Sequence, residues 1–231
     1  MSGKLIVIEG TDCSGKETQA KLLVDKLVSE GKKAVGLSFP MYDTPTGKII
    51  GACLLGKPDM CKKILKINTS FFPEGGGNVD YLTACNLYAA DRRYNLPKIL
   101  DYLNKGYIVV LDRYVASNMA HRGGFVKNKQ DRLKIYQKIE LLEYEIDELP
   151  RPDKTILLYL PYEYACILKR NREESVDEAE ANIKYLKNAE RAYLELSKIY
   201  NFDIVKCVKK NVIRSKEDIN NDVYRQVKDV I

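Results

Sequence analysis

The chain has 231 residues and a formal net charge of +6, from 38 lysines and arginines against 32 aspartates and glutamates. Its composition, 45% hydrophobic and 30% charged, is that of a folded globular protein and excludes a largely disordered chain. Its six cysteines show no C-x-x-C spacing and His121 is the single histidine, which excludes a His-rich metal cluster and favours reduced thiols.

The bulk sequence also bears on location and partners. The N-terminus lacks the pattern of a signal peptide, and no apolar stretch approaches the roughly 20 residues of a membrane span. The basic excess is mild, and no basic stripe is interleaved with aromatic residues. We therefore expect a soluble cytoplasmic protein with no membrane partner and no nucleic-acid partner.

The first predicted elements are a strand, a glycine-containing loop and a helix. Leu5–Ile8 form a short apolar run typical of a buried strand, and a helix-forming run follows as far as about Gly31. Between them lies the stretch Gly10–Lys16, which we call the phosphate loop. Glycines allow backbone N–H groups to converge on phosphates, and the lysine reaches the β and γ oxygens. A nucleotide is therefore expected to bind Gly10, Thr11, Asp12, Cys13, Ser14, Gly15, Lys16, Glu17 and Thr18.

The remaining chain alternates between predicted strands and helices. Strands are predicted at Ala34–Phe39, Tyr107–Leu111, Thr155–Leu160 and Asp203–Val208. Helices are predicted from the Thr44 N-cap to Leu55, over Val79–Asn104 with a kink at Pro97, over Pro161–Arg170, around Ile183–Leu196, and from Lys216. A further helix is predicted from an apolar stripe at three- and four-residue spacing, formed by Leu133, Tyr136, Ile139, Leu142, Ile146 and Leu149. The segment Gly56–Asn78 reads as loop.

This alternation predicts an α/β fold. Continuous apolar strands separated by helices are typical of a parallel sheet that is covered on both faces. We expect a P-loop NTPase-like, doubly wound, five-stranded parallel sheet flanked by helices, as a single domain over residues 1–231.

Two polar residues directly follow the third predicted strand. In open parallel sheets, ligands bind beyond the carboxyl ends of the strands. Asp112 ends that strand, where nucleotide enzymes hold Mg²⁺, usually through water, and the alternative is a helix N-cap. Arg113 is expected to bind a phosphate. The predicted metal site is Asp112 with Thr18.

The chain resembles the thymidylate kinase family from end to end. The stretches that match its motifs, in order, are Ile8–Gln19, Phe39–Tyr42 with Thr44–Gly47, Leu87–Arg92, Asp112–His121 and Leu149–Asp153. The resemblance implies a nucleoside monophosphate kinase that moves the γ-phosphoryl group of ATP onto dTMP, with Mg²⁺, and that forms a homodimer.

The resemblance also implies roles for individual residues. Tyr88 would stack on the pyrimidine, Arg92 would donate to a base carbonyl, Asn118 would read N3, and Arg113 would hold the acceptor phosphate. The implied substrate-binding residues are Glu9, Phe39, Pro40, Tyr42, Tyr88, Arg92, Arg113, Ser117, Asn118 and His121. The implied catalytic residues are Asp12, Lys16, Arg113, Arg170 and Arg172.

Three positions depart from the family pattern. Cys13 stands where some members carry an arginine, and members lacking it take the arginine from a short lid, here at about residues 169–180 with Arg170 or Arg172. Glu17 follows the lysine where Ser or Thr is usual, and His121 stands where an aromatic residue is common. Cys13 and Glu17 leave open the alternative of a nucleotide-binding protein without turnover. A second alternative is a kinase for another nucleoside monophosphate, against which Tyr88, Arg92 and Asn118 argue together.

Overall fold

Five parallel strands form the centre of the fold. They are seen in a computed structural model that describes residues 3–66, 71–72, 75–170 and 183–231, apart from the side chains of residues 167, 169 and 170. The strands are β1 (Lys4–Gly10), β2 (Ala34–Ser38), β3 (Ile108–Asp112), β4 (Lys154–Tyr159) and β5 (Asp203–Lys206). Their order in the sheet is β2-β3-β1-β4-β5, all parallel, which confirms the predicted doubly wound sheet.

Helices cover both faces of this sheet. They are α1 (Lys16–Ser29), α2 (Pro45–Ile49, continued by a π-helical turn over Ile50–Leu54), α3 (Pro58–Met60, continued likewise over Cys61–Leu65), α4 (Tyr81–Asn104), α5 (Val115–Gly123), α6 (Lys129–Glu140, continued likewise over Leu141–Ile146), α7 (Tyr162–Arg170), α8 (Ile183–Ile199) and α9 (Lys216–Val227). A 3₁₀ turn spans Gly76–Asn78, and β6 (Val208–Lys209) pairs with β7 (Val212–Ile213) as a small hairpin. None of the helices in the described ranges has the length and apolar character that a membrane span requires.

The side chains of β1 alternate between two hydrophobic cores. Leu5 and Val7 pack into one core, whereas Ile6 and Ile8 pack into the other, and all four are at most 1% exposed. Successive side chains of a strand point to opposite faces, so a run that is apolar at every position marks a sheet covered on both faces. The first core is closed by α4, α5, α6 and α8, and the second by α1, α7 and α9.

Three strands end at the same level. Ile8 of β1 and Ser38 of β2 both lie opposite Asp112 of β3. The phosphate loop, the segment after β2 and the start of α5 therefore leave the sheet at one edge. Just beyond β2, the Thr44 hydroxyl accepts a hydrogen bond from the Gly47 N–H and caps α2, as predicted.

Several predicted boundaries were wrong. The helix α5 was not predicted, the presumed loop Gly56–Asn78 contains α3, and Val208 belongs to the hairpin instead of the fifth strand. Helix α4 continues through Pro97, and the predicted kink there stays a prediction. Ile146 is 64% exposed, because the π-helical turn after α6 takes more residues per turn and ends the 3.6-residue apolar stripe.

Candidate active site

The phosphate loop is tightly folded against the sheet. Gly10 has φ +157°, and a Cβ there would lie 2.6 Å from Ser14 Oγ and 2.8 Å from the Leu158 carbonyl oxygen. The Ser14 hydroxyl is buried, and among the described residues it finds no hydrogen-bond partner. A buried hydroxyl without a partner is unfavourable, and a ligand that hydrogen-bonds to it would remove this cost. This is consistent with a ligand-binding loop.

Lys16, at the start of α1, is buried and donates to the Thr11 carbonyl oxygen at 2.8 Å. Burial, together with the positive charge of Arg113, lowers the pKa of the Lys16 ammonium to about 8, although Asp12, Asp112 and Glu9 oppose the shift. Anionic phosphate beside the ammonium would restore the charged form. The buried ammonium of Lys16 is therefore suited to bind a polyphosphate.

A cavity opens beside the phosphate loop at the carboxyl edge of the sheet. Nine of the ten predicted substrate-binding residues line it: Phe39, Pro40, Tyr42, Tyr88, Arg92, Arg113, Ser117, Asn118 and His121. Asp12 of the phosphate loop also lines it. Three further lining residues were not predicted from the sequence, namely Leu55, Arg122 and Tyr185. The roles of all these residues toward a ligand stay predictions.

Glu9, the tenth predicted residue, lies behind the cavity wall. Its carboxylate is fully buried and accepts the backbone N–H groups of Tyr114 and Ser117 at 2.8 and 3.1 Å, together with the hydroxyls of Ser117 at 2.7 Å and Tyr193 at 3.0 Å. Burial raises the pKa of Glu9, and the hydrogen bonds from Ser117 and Tyr114 oppose that rise. Glu9, and not Asp112, thus caps the N-terminus of α5.

Arg113 connects the phosphate loop with the cavity. It has φ +67°, a left-handed conformation uncommon outside glycine, directly after β3. Its Nη2 forms an ion pair with Asp12, and its Nη1 donates to His121 Nε2 at 3.0 Å. Burial alone would raise the pKa of Asp12, but the charge of Arg113, with that of Lys16, holds it well below its ordinary value.

His121 is neutral in this arrangement. Because the Arg113 guanidinium can only donate, Nε2 of His121 accepts, and the ring proton lies on Nδ1, 2.7 Å from the Tyr185 hydroxyl. Burial lowers the pKa of His121 to about 3, with Asp12 opposing and Arg113 adding to the shift. The Tyr185 ring stacks on the imidazole at 5.4 Å between centroids. His121 therefore holds Arg113 in place by accepting a hydrogen bond from it, and the imidazole itself carries no charge.

A buried carboxylate organises the opposite wall of the cavity. Glu143, fully buried in the π-helical turn after α6, accepts from Arg92 Nε and, at 2.8 Å, from Arg92 Nη2. It also accepts from Asn118 Nδ2 at 2.9 Å, and this nitrogen reaches the Cys85 carbonyl oxygen at 3.1 Å. A carboxylate can only accept here, so the amide orientation of Asn118 is fixed, and its buried Oδ1 finds no partner among the described residues.

Asp91, next to Arg92 on α4, holds the segment after β2 in place. Its carboxylate accepts from the Met41 N–H at 3.0 Å and from the Thr46 hydroxyl at 2.6 Å. These bonds position the stretch Phe39–Tyr42 as a cavity wall. Asp91 belongs to the matched Leu87–Arg92 stretch, but its role was not predicted from the sequence.

The predicted metal residues lie near the phosphate loop. Asp112 is 9% exposed; its Oδ2 is 3.5 Å from the Ser38 hydroxyl, and its buried Oδ1 has no partner among the described residues. Thr18 is half-buried on the first turn of α1. A partnerless carboxylate oxygen at this edge suits a hard cation or its bound water.

The predicted lid, about residues 169–180, lies outside the described residues except for the end of α7, and Arg172 lies outside them too. The side chain of Arg170 is likewise not described.

Comparison with known proteins gives a consistent result. The family model described as Thymidylate kinase matches residues 8–219. The chain is 30% identical over 233 residues to a thymidylate kinase of Schizosaccharomyces pombe, covering 99% of this chain and 93% of the relative. It is 30% identical over 227 residues to one of Plasmodium falciparum, covering 97% and 90%. A solved thymidylate kinase from Candida albicans superposes with a TM-score of 0.72 at 24% identity, covering 99% and 92%, which shows the shared fold.

Proposed function

The chain belongs to the thymidylate kinase family, and we propose that it transfers the γ-phosphoryl group of ATP to dTMP, giving dTDP and ADP. The observation that carries the choice of base is the Oδ1 of Asn118 in the cavity wall, which has no partner among the described residues. Glu143 binds the Nδ2 of this amide, so the Oδ1 of Asn118 is the atom that can accept a hydrogen bond from a ligand. Thymine has an N3–H donor, whereas N3 of cytosine is itself an acceptor, so the site favours a thymine-type base.

Neighbouring residues support the same base position. Tyr88 lies one helical turn before Arg92 on α4 and lines the cavity with it. An aromatic ring offers a stacking surface, and the Arg92 guanidinium, oriented by Glu143, offers a donor to a base carbonyl. Phe39, Pro40 and Tyr42 line the same cavity. A polar site of this kind rejects the wrong base steeply, because its own buried groups are then left unpaired.

The phosphates lie at the other end of the cavity in this proposal. Arg113 binds the acceptor phosphate, since Asp12 and His121 hold it between the cavity and the phosphate loop. Lys16 and the backbone N–H groups of the loop bind the β and γ phosphates of ATP. Phosphoryl transfer needs mainly alignment and charge neutralisation, which these cations supply. Arg170 or Arg172 as the further arginine stays a prediction from the sequence.

Mg²⁺ is part of the proposal, with Asp112 and Thr18 as the residues that would hold it, directly or through water. The fit rests on the buried Oδ1 of Asp112 at the strand edge, for which the described part of the chain offers no partner. When bound, the ion neutralises the charge that develops on the transferring phosphoryl group.

A homodimer and a cytoplasmic location complete the proposal. The dimer is supported by exposed apolar side chains on two neighbouring elements, Leu82 and Tyr94 of α4 and Leu141 and Ile146 of the turn after α6, which are 43–64% exposed. Sedimentation of the purified protein tests it.

Product analysis tests the reaction itself. With ATP, Mg²⁺ and dTMP, we expect ADP and dTDP to form in equal amounts, and little ADP when dTMP is omitted. Nucleotide binding without ADP formation would support the alternative of a binding protein without turnover. Turnover with another monophosphate but not with dTMP would support the other alternative.

Glu17 is expected to be dispensable for this turnover. Its side chain is exposed on the first turn of α1, where the helix dipole favours an acid. The Glu17→Thr variant should keep its kcat, and the Mg²⁺ concentration for half-maximal rate should fall or stay unchanged. A sharp rise in that concentration would show that Glu17 itself ligates the ion.

A further inference from the structure

Arg122 is a buried cation that the proposed reaction leaves unused. It lies on α5, is 7% exposed and lines the cavity. Its guanidinium carbon lies 5.5 Å from the centroid of the Tyr88 ring. Among the described residues, its Nε finds no hydrogen-bond partner and no carboxylate forms an ion pair with it.

This isolation is energetically unusual. A buried donor without an acceptor is unfavourable, and a charged donor is more unfavourable than a neutral one. The other buried arginines, Arg92 and Arg132, each pair with a glutamate. The contact with the Tyr88 ring compensates for only part of this loss, since a cation–π contact does not supply the acceptor that Nε lacks. An acceptor supplied by a ligand in the cavity would provide the rest.

The surroundings of Arg122 place it at the base end of the cavity. It lies four residues after Asn118, so the two side chains share one face of α5. Tyr88 in turn lies four residues before Arg92 on α4. Arg92 is tied to Glu143 beside Asn118, whereas Arg122 packs on Tyr88 and lines the same cavity.

The cavity wall therefore carries a donor, an acceptor and a donor. Arg92 and Arg122 can only donate, and Oδ1 of Asn118 can only accept. The edge of thymine carries the complementary set of groups: a carbonyl, the N3–H and a second carbonyl. On the basis of the proposed function, we infer that Arg122 is a base-specificity residue that donates to one pyrimidine carbonyl while Arg92 donates to the other.

Substrate analogues test this assignment. We would measure KM and kcat for dTMP, 2-thio-dTMP and 4-thio-dTMP in the wild type and in Arg122→Met, Arg122→Lys and Arg93→Met. The matched control is Arg93, an exposed neighbour of Arg92 outside this cavity. Arg122→Met should raise KM for dTMP about 10- to 100-fold with little change in kcat. The Arg122→Lys variant should recover part of this loss, and Arg93→Met should match the wild type.

The decisive readout is the coupling between the variant and the analogue. Sulfur accepts hydrogen bonds weakly, so the analogue altered at the carbonyl that Arg122 contacts should lose affinity in the wild type but not further in Arg122→Met. The other analogue should lose affinity, relative to dTMP, by the same factor in the wild type and in Arg122→Met. Equal losses for both analogues in both proteins would show that Arg122 only packs, and would overturn the inference.

Two further measurements separate this inference from its alternatives. Thymidine and dTMP should lose affinity for Arg122→Met by the same factor in calorimetry, whereas a loss confined to dTMP would place Arg122 at the phosphate and contradict us. Because its charge is unpaired, Arg122→Met should unfold at the same or a higher temperature than the wild type. If the wild type fails to phosphorylate dTMP, the proposed function is wrong. The affinity losses for thymidine and dTMP in Arg122→Met still test the role of Arg122 in that case.

Discussion

Replacing Lys16 by methionine is expected to lower kcat by a factor of about 10²–10³, because one preorganised donor to the transferring phosphates is removed. Lys16 is buried at the start of α1 and donates to the Thr11 carbonyl oxygen, so no solvent cation can take its place. Lys21→Met is the matched control, since Lys21 is exposed on the same helix and pairs with Asp25. A Lys16→Met variant with near-normal kcat would contradict the role of the phosphate loop.

The lowered pKa of Lys16 adds a pH dependence to this prediction. With a pKa of about 8, Lys16 is charged below pH 8 and loses its proton as the pH rises above it. ATP binds the charged form, so its affinity should be constant below about pH 8 and should fall above it. Proton uptake on ATP binding near pH 8, measured by calorimetry in buffers of different ionisation enthalpy, should disappear in Lys16→Met.

Removing the carboxylate of Glu143 is the second large effect that we expect. Glu143→Ala leaves the guanidinium of Arg92 buried without its ion pair, which should lower the free energy of unfolding by about 3–5 kcal/mol. Glu145→Ala is the control, since Glu145 is 60% exposed and its pair with Arg151 lies at the surface. Urea unfolding of the three proteins measures the difference. Equal midpoints would show that this ion pair does not stabilise the fold.

The milder variant Glu143→Gln separates function from folding. A glutamine keeps the volume of the side chain but has one acceptor oxygen where the carboxylate has two. It therefore cannot accept from both Arg92 and the Asn118 amide in the way that Glu143 does. We expect KM for dTMP to rise by more than KM for ATP, because both tethered residues belong to the base end of the cavity. Equal increases for the two substrates would indicate a general loss of structure.

Much of the fold could be predicted because its signals are local. The run Leu5–Ile8 is apolar at every position, and only a strand covered on both faces needs that pattern. The Thr44 cap followed by a proline was likewise readable from adjacent residues. Parallel strands bring their carboxyl ends to one edge, so the amino-acid sequence alone sufficed to predict that Arg113 lies beside the phosphate loop.

The parts that were missed depend on contacts between distant residues. Helix α5 is capped by Glu9, more than one hundred residues earlier in the chain, so its start carries no local capping signal. Tyr185 reaches His121 from α8. One signal was available for Glu143: an acid four residues after Ile139 and three before Ile146, on a predicted apolar stripe, needs a buried partner.

Discrimination between pyrimidine monophosphates tests the central claim most directly. The wild-type protein would be assayed with ATP and Mg²⁺ against dTMP, dCMP, dAMP and dGMP, and kcat/KM compared. We predict that dTMP exceeds dCMP by a factor of about 10⁴, because cytosine leaves the Asn118 oxygen without a donor and opposes one arginine with an amino group. A kcat/KM for dCMP equal to or above that for dTMP would contradict this account of the site.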